Sequence, residues 1–188
     1  MLSKIRYCGL ALLIGLACQS EDTDILDRDV LNELAKSTGT SRGSKWSGSY
    51  RIESNTLGRC ECLNQGDDPN ARSLQVQVCE QLRWTKDSDL RFQVIHTDGR
   101  ISLQNTISMT GPMNDDGSFQ AVGIQTESLV VGKVDSLAHL VGQFTGKKHT
   151  RAFTGTLHQR FSGKIEDQLV DCRMLNDVEG VLAELQAF

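Results

Sequence analysis

The stretch Trp46-Ser47-Gly48-Ser49-Tyr50-Arg51-Ile52-Glu53 decides the fold that this sequence predicts. Apolar or small residues at its even positions alternate with polar residues at its odd positions. This period of two is typical of an antiparallel strand that buries one face. The same alternation returns along the chain, and turn signals such as Asp98-Gly99 separate the runs. The sequence therefore predicts an all-β fold.

Counting the alternating runs predicts about nine strands in an antiparallel up-and-down meander. The expected bounds are 46–53, 57–63, 73–79, 90–96, 100–109, 118–126, 137–145, 150–161 and 164–172. A loose repeat in the second half has the interval of a strand plus a turn, and its copies are Phe144-Thr145-Gly146, Phe153-Thr154-Gly155 and Phe161-Ser162-Gly163. Because an open meander leaves two edge strands unpaired, we expect it to close as a barrel or to pack as a sandwich.

Helical spacing of apolar residues occurs on both sides of this domain. Residues 24–36 carry apolar side chains three and four positions apart, which predicts a short amphipathic helix. Residues 37–45 are rich in Ser, Thr and Gly, the composition of a flexible linker. Residues 178–185 repeat the helical spacing and predict a short C-terminal helix. We therefore place the barrel or sandwich domain at residues 46–188.

The N-terminus has the layout of a secretory signal peptide. Lys4 and Arg6 precede an uncharged, weakly polar or apolar run at residues 7–17. An α-helix of this length reaches about 16 Å, roughly half of a bilayer's hydrocarbon core, so the run is too short to span a membrane. We expect residues 1–17 to be removed on export.

The sequence Ile14-Gly15-Leu16-Ala17-Cys18 resembles the lipobox of bacterial lipoproteins. This resemblance implies cleavage after Ala17, a diacylglycerol on the sulfur of Cys18 and acylation of the new amino group. Residues 18–23 then form a lipidated tether, and two or three acyl chains anchor the protein stably in the membrane. Because Gln19 is not Asp, the resemblance implies outer-membrane delivery in a Gram-negative cell. The alternative is an ordinary signal peptide that is cut near the same place.

Four cysteines remain once the signal peptide is gone and Cys18 carries lipid. The six in the whole chain are Cys8, Cys18, Cys60, Cys62, Cys79 and Cys172. An even set in an exported protein predicts two disulfides. Cys60 and Cys62 would point to one strand face about 7 Å apart, so we expect each to pair separately with Cys79 or Cys172. Their spacing differs from that of paired zinc ligands, so we expect no metal site and no redox-active thiol pair.

Composition and motifs argue against nucleic-acid binding and against catalysis. The formal net charge of the chain is -4, whereas nucleic-acid affinity comes largely from an excess of Lys and Arg. The sequence lacks an H-E-x-x-H motif and a phosphate-cradling loop. The spacing G-x-S-x-G occurs at Gly39-Thr40-Ser41-Arg42-Gly43, but it lies in the segment of linker composition and not between a strand and a helix. The histidines, which are His96, His139, His149 and His158, share no metal-ligand spacing. We therefore predict no enzyme activity and no cofactor.

The sequence Trp46-Ser47-Gly48-Ser49-Tyr50 is similar to the first strand of lipocalin-like barrels, which place a tryptophan there after an N-terminal helix. This resemblance implies an apolar ligand inside the barrel. The leading expectation is a noncatalytic, lipid-anchored envelope protein that binds a partner protein or supports a surface assembly, because no motif supplies chemistry. A lipocalin-like carrier of a lipid or small apolar ligand is the alternative.

Overall fold

The computed structural model describes residues 24–62, 69–82, 90–105, 107–130, 132–165 and 168–185. The predicted signal peptide at 1–17, the predicted lipid site Cys18 and the rest of the tether at 18–23 lie outside these residues. The described residues form mostly antiparallel β-structure that closes on itself as a barrel. The predicted all-β fold is confirmed, and of the two expected architectures the chain adopts the barrel.

Eight strands form the barrel within the described residues. They are β1 (Gly48–Cys62), β2 (Arg91–Thr97), β3 (Arg100–Gln104), β4 (Met109–Pro112), β5 (Ser118–Leu129), β6 (Gly132–Thr145), β7 (Ala152–Ile165) and β8 (Gln168–Leu185). Each strand pairs with the next along the chain, and β8 pairs antiparallel with β1. This is the up-and-down meander that the sequence predicts.

Two α-helices accompany the strands in the described residues: α1 at Arg28–Lys36 and α2 at Pro69–Leu82. Strands β2, β3 and β4 have seven, five and four residues, whereas the other five are longer, with β8 reaching 18 residues. The long strands therefore extend past the short ones, and α2 packs on their inner face through Leu74 and Val78. We call this the capped end. The far end is the opposite one, where Asp98-Gly99 joins β2 to β3.

The core in the far half of the barrel is built from aromatic rings. The side chains of Tyr50, Phe119, Phe144 and Phe153 are buried there. The ring centroids of Phe119 and Phe144 lie 4.9 Å apart, and those of Tyr50 and Phe153 lie 5.8 Å apart. The hydroxyl of Tyr50 donates a hydrogen bond of 3.0 Å to the carbonyl of Trp46, so its burial leaves it paired. These rings supply a large share of the hydrophobic stabilisation.

Helix α1 lies on the outside of the barrel. Its N-cap residue Asp27 accepts hydrogen bonds from the backbone amides two and three positions later, which stabilises the first turn. Leu31 is buried and packs with Val122 of β5 and Leu137 of β6. Arg100 of β3 donates hydrogen bonds to three consecutive carbonyls at the C-terminus of the helix. The predicted N-terminal helix is therefore present, and it begins four positions later than the expected bound.

The segment predicted as a strand at 73–79 is part of helix α2. Its apolar residues Leu74, Val76 and Val78 alternate, but Leu74 and Val78 are also four positions apart and so share one face of a helix. The helix buries these two side chains and leaves Val76 51% exposed. A short run of apolar residues is compatible with the period of a helix and with that of a strand. Here the helix forms, because it packs the run against the barrel.

The C-terminal helix predicted at 178–185 is wrong, because this segment is the end of β8. Val178 and Leu182 are four positions apart, which suits a helix, yet Gly180 between them faces Phe153 of β7 in the strand register. A Cβ atom at position 180 would lie 2.4 Å from Cε1 of Phe153, so the ring occupies the space of the missing side chain. Because glycine has no side chain, the hydrophobicity pattern does not show that position 180 lies on the inner face of the barrel.

Residues 37–45, expected as a flexible linker, are fixed against the far end of the barrel. The backbone amide of Gly39 donates a hydrogen bond of 2.7 Å to the carbonyl of Gly99. The amide of Gly43 donates one of 3.0 Å to the carboxylate of Asp98. The small residues of this segment therefore permit close backbone contact with the β2–β3 turn.

Several predicted strand bounds also need correction. The runs predicted at 46–53 and 57–63 belong to the single strand β1, which has register shifts in its pairing with β8. The run predicted at 100–109 is divided between β3 and β4. Bulges interrupt the alternation in the sequence without ending a strand, so a pattern of period two divides β1 where the structure does not.

Candidate functional site

The four cysteines of the described residues come together at the capped end as two disulfides. Cys60 of β1 bonds to Cys79 of α2, with Cα atoms 6.1 Å apart, and Cys62 of β1 bonds to Cys172 of β8. This is one of the two pairings that the sequence leaves open. The sulfur atoms of Cys62 and Cys79 are 3.6 Å apart, so the two bridges touch. Together they fasten the capping helix to β1, and β1 to β8.

The same sulfur atoms could bind a metal ion only if the disulfides were reduced to thiols. The sulfurs of Cys60, Cys62 and Cys79 lie within 4.8 Å of one another, close enough for three ligands of one ion. Metal ligation by cysteine requires thiolates. In the two disulfides every sulfur is bonded to another sulfur and has no thiolate charge. The cluster therefore serves as a cross-link in its oxidised form.

A layer of polar side chains crosses the barrel interior between the aromatic core and the apolar cluster under α2. Ser136 of β6, Gln159 of β7 and Asn176 of β8 are buried on the inner face. Gln159 pairs with position 138 of β6 and with position 174 of β8, so Ser136 and Asn176 are its diagonal neighbours. Gln75 of α2 is buried as well. The sequence analysis does not predict this layer, although the alternation Leu157, Gln159, Phe161 places a polar residue on the same strand face as two apolar residues.

Part of this layer has no hydrogen-bond partner among the described residues. The unpaired atoms are both amide atoms of Gln75, the hydroxyl of Ser136 and Oε1 of Gln159. A buried polar group without a partner costs about 1 to 3 kcal/mol. These atoms have essentially no accessible surface, so a ligand would touch them only after α2 moved away. The layer therefore weakens the contact between α2 and the barrel, and the disulfide between Cys60 and Cys79, which joins α2 to β1, offsets that loss.

The far half of the barrel is filled with its own side chains at the place where the lipocalin-like resemblance implies an apolar ligand. Trp46 stacks on Phe144 with ring centroids 5.2 Å apart. Both belong to one cluster of buried residues that also contains rings from β1, β2, β5 and β7. In an eight-stranded barrel, side chains of this size are enough to occupy the interior. Trp46 is therefore a core residue at the far end.

A charged cluster fixes the first described residue to the outside of the barrel. The carboxylate of Asp24 accepts a hydrogen bond of 2.5 Å from Arg173 of β8, and Arg160 of β7 lies 3.8 Å away. Arg160 in turn forms two hydrogen bonds, of 2.9 and 2.8 Å, with Asp171. Burial alone would raise the pKa of Asp24, but the amide of Leu26 and the two guanidinium groups outweigh it and hold the pKa below its usual value. The chain therefore enters the fold at a fixed point near the capped end.

Two histidines stand side by side on the outer face of the barrel near α1. His139 of β6 and His158 of β7 are directly paired across the strands, with ring centroids 6.5 Å apart. Nε2 of His139 lies 3.0 Å from Oε1 of Gln120, and the side chains of α1 line the same groove. Burial and the neighbouring His158 lower the pKa of His139. Burial also lowers the pKa of His158, although Asp177 opposes this effect.

The other two histidines lie at the far end. His96 of β2 is completely buried, and burial lowers its pKa despite the nearby carboxylate of Asp98. His149 is exposed in a short 3-10 turn at Lys148–Thr150. Two of the four histidines are therefore buried in the neutral form that the barrel favours.

Acidification below about pH 6.5 is expected to destabilise the protein, because the pKa values of His96, His139 and His158 lie below those of the unfolded chain. The unfolded state binds more protons in this range. The neutral histidines therefore contribute their full stabilisation at pH values above the histidine pKa of the unfolded chain. This contribution is lost as the pH falls towards their lower pKa in the folded protein. The slope is at most about 1.4 kcal/mol per pH unit for each histidine. Urea unfolding at several pH values between 7.5 and 5 measures it.

The variant His139→Gln is expected to flatten this pH dependence, since it removes one of the three histidines whose pKa the fold lowers. His149→Gln is the matched control, because His149 is exposed and its loss should leave the slope unchanged. Equal slopes for the parent and His139→Gln would show that His139 does not carry the effect.

Comparisons with known proteins find no relatives for this chain: no protein-family model, no curated protein and no solved structure matches it. No helix in the described residues has the length and apolar character that crossing a membrane requires. Its function must therefore be argued from its own residues.

Proposed function

We propose that the protein is exported, is acylated on Cys18 and acts at the membrane as a noncatalytic envelope protein that binds a partner protein. The observation that carries this proposal is the position of Asp24, which Arg173 and Arg160 hold on the barrel near the capped end. Asp24 follows the lipobox-like cysteine by only six positions. A lipid on Cys18 would therefore hold the folded barrel close to the bilayer.

The cysteines support export. Disulfides persist in oxidising compartments such as the bacterial periplasm and the cell surface, and they are rare in the cytosol. Both bridges lie at the capped end, where Cys60–Cys79 secures α2 over a polar layer that weakens its packing and Cys62–Cys172 joins β1 to β8. A fold that depends on such bridges is suited to the envelope.

The surroundings of the histidines favour a noncatalytic role. A histidine that acts as a general base is commonly oriented by a carboxylate on its second nitrogen. The recorded hydrogen-bond partner of His139 is the amide of Gln120, and the groove around it is otherwise lined mainly by α1. His139 therefore serves as a packed residue beneath the helix.

The far end of the barrel supports partner binding. The loop between β6 and β7 carries Lys147, Lys148 and His149, all exposed, in a chain with a net charge of -4. Lys148 has a positive φ of 43°, an uncommon conformation for a residue with a side chain. If the lipid holds the capped end towards the membrane, this loop faces away from it. The charge favours a partner with an acidic surface.

The variant Cys18→Ser is expected to lose acylation and the membrane anchoring that depends on it, because it lacks the sulfur that accepts the lipid. Intact mass of the protein purified from membranes measures this: the parent should begin at Cys18 and carry acyl mass. Cys8→Ser is the matched control, since Cys8 lies in the segment expected to be removed. A parent protein without acyl mass, or one that begins elsewhere, would contradict the proposal.

The protein in the same membranes can be cross-linked to test the proposed partner site at the far end. A photoreactive residue at position 148 is expected to give a discrete cross-linked product, and the product should diminish when Lys147 is changed to Glu. Position 76 on α2 is the control, because it lies at the opposite end of the barrel. Cross-linking that is equal at both positions would argue against a partner site at the far end.

A further inference from the structure

We propose that a dithiol reductant opens the bridge between Cys60 and Cys79, and that the freed sulfur of Cys79 then exchanges into the neighbouring bridge. The exchange joins Cys79 to Cys62 and releases Cys172. The reduction thereby passes from the bridge that holds α2 to the bridge that closes the barrel. This inference goes beyond the proposed function and does not require a lipid on Cys18.

The sulfur of Cys79 already touches the sulfur that it would attack. Sγ of Cys79 lies 3.6 Å from Sγ of Cys62, although the two atoms belong to different bridges. Sγ of Cys60 lies within 4.8 Å of both. Disulfides exchange when a thiolate attacks a sulfur of another disulfide. Folding therefore brings the attacking and the attacked sulfur together, a contact that the spacing of the cysteines along the chain does not predict.

The two bridges differ in how accessible they are to a reductant. Cys60 and Cys79 are both half-buried, so a small dithiol can reach their bridge from solvent. In the other bridge Cys62 is half-buried, but Cys172 is completely buried in the apolar cluster under α2. The rate of thiol–disulfide exchange depends on access to the sulfur that is attacked. The bridge between Cys60 and Cys79 is therefore expected to open first.

Helix α2 keeps Cys79 in place after its bridge opens. Leu74 and Val78 of the helix are buried in the cluster that lies between α2 and the barrel. Sγ of Cys62 also lies 3.9 Å from the carbonyl oxygen of Gln75, one helical turn before Cys79. The unpaired amide of Gln75 weakens this packing, but the apolar contacts remain. Cys79 therefore stays close enough to Cys62 for an intramolecular attack.

The reaction takes two steps. In the first, the dithiol gives two electrons and two protons to the bridge, becomes a disulfide itself and leaves Cys60 and Cys79 as thiols. In the second, Cys79 loses its proton and its thiolate bonds to Cys62, while the bond between Cys62 and Cys172 breaks. The electron pair of that bond goes to the sulfur of Cys172, which takes up a proton. Apolar surroundings favour the neutral thiol at this buried position.

The exchange changes which elements are cross-linked. Cys62 and Cys172 are paired directly across β1 and β8, the strands that close the barrel. In the product this seam has lost its disulfide, whereas α2 is still joined to β1 through Cys79 and Cys62. The bridge of Cys62 then spans 17 positions in place of 110. The product should unfold at a lower urea concentration than the oxidised protein, because a shorter loop constrains the unfolded chain less.

Limited reduction of the oxidised protein tests the proposal. The protein is treated with a small amount of dithiothreitol, quenched with acid, unfolded and alkylated. Mass spectrometry then maps the alkylated and bridged peptides, with cleavage after Glu61 to separate Cys60 from Cys62. We expect the main species with two thiols to be alkylated at Cys60 and Cys172. A main species alkylated at any other pair, such as Cys60 and Cys79, would overturn the proposal.

Two single variants isolate the part played by Cys79. Cys60→Ala leaves Cys79 as a free thiol beside the other bridge, and Cys79→Ala leaves Cys60 instead. Both variants lack the same link between α2 and β1, so they share any effect of a loosened helix. The strand spacing of Cys60 and Cys62 disfavours a bond between them. Without reductant we therefore expect severalfold more alkylation of Cys172 in Cys60→Ala than in Cys79→Ala.

Equal alkylation of Cys172 in the two variants would contradict the exchange. The limited reduction uses the parent protein alone, so it decides the question even if one of the variants does not fold.

Discussion

Replacing Cys62 and Cys172 by alanine is expected to lower the free energy of unfolding by about 5 kcal/mol. The bridge joins residues 110 positions apart, and cross-linking so long a loop removes much of the conformational freedom of the unfolded chain. It also joins β1 to β8, the pair of strands that closes the barrel. Alanine suits the site, because Cys172 is buried among apolar side chains. Urea unfolding of the oxidised protein measures the change.

The pair Cys60→Ala and Cys79→Ala is the matched comparison, because it removes the neighbouring bridge. That bridge spans only 19 positions, so the same loop model predicts a loss of about 3 kcal/mol. An equal or larger loss for the shorter loop would mean that loop entropy does not rank the two bridges. The attachment of α2 over the unpaired amide of Gln75 would then be the stronger effect.

The barrel was predictable because its strands alternate along most of their length. Phe153, Leu157 and Phe161 of β7 follow one another at intervals of four positions, which is a multiple of two, and all three are buried on the inner face. The alternation with a period of two is the same whichever strand lies next to β7, since it depends only on which face of the strand meets the core. Apart from the connection between β1 and β2, which contains α2, short connections between successive antiparallel strands explain the order of the eight strands.

The two helix errors have one physical origin. The run that contains Leu74 and Val78 and the run that contains Val178 and Leu182 both place apolar residues four positions apart. That spacing is compatible with a helix face and with one face of a strand. Packing determines whether each run forms a helix or a strand, and it depends on residues far away in the sequence, such as Phe153 opposite Gly180. No local pattern contains that information.

The candidate sites also differ in how far the sequence alone predicts them. Counting cysteines limits the pairing to two choices, but the choice between them depends on α2 bringing Cys79 to Cys60. The contact between Asp24 and Arg173 joins residues 149 positions apart, and charged residues are too common for their pairing to be visible in one sequence. Position along the chain therefore limits the disulfide pairing to two choices and does not identify the ion pairs.

The capped end brings together features that are separate in the sequence. The disulfides, the polar layer and the Asp24 cluster lie within the same half of the barrel. The far half contains the aromatic core. If the proposed lipid anchor is present, a cross-linked half near the membrane and a tightly packed far half would keep the barrel rigid at that surface.

Replacing Phe153 by alanine is expected to cost about 3 to 5 kcal/mol, the usual range for removing a fully buried aromatic ring. Phe153 contacts the rings of Tyr50, Phe119 and Phe144, so its loss leaves a cavity at the centre of the aromatic core. Thermal and urea unfolding measure the change. Val141→Ala is the control on the neighbouring strand β6, because Val141 is exposed and its loss should change stability by about 0.5 kcal/mol or less.

A double-mutant cycle with Gly180 tests whether the ring and the missing side chain fit together. Gly180→Ala should destabilise the parent, because its Cβ atom would lie 2.4 Å from Cε1 of Phe153. In the Phe153→Ala background the same methyl group enters the cavity, so the substitution should be neutral or stabilising. Strong non-additivity is therefore expected, as for residues in direct contact. Additive effects would mean that the barrel wall moves to accommodate either change, and the glycine in β8 would then need another explanation.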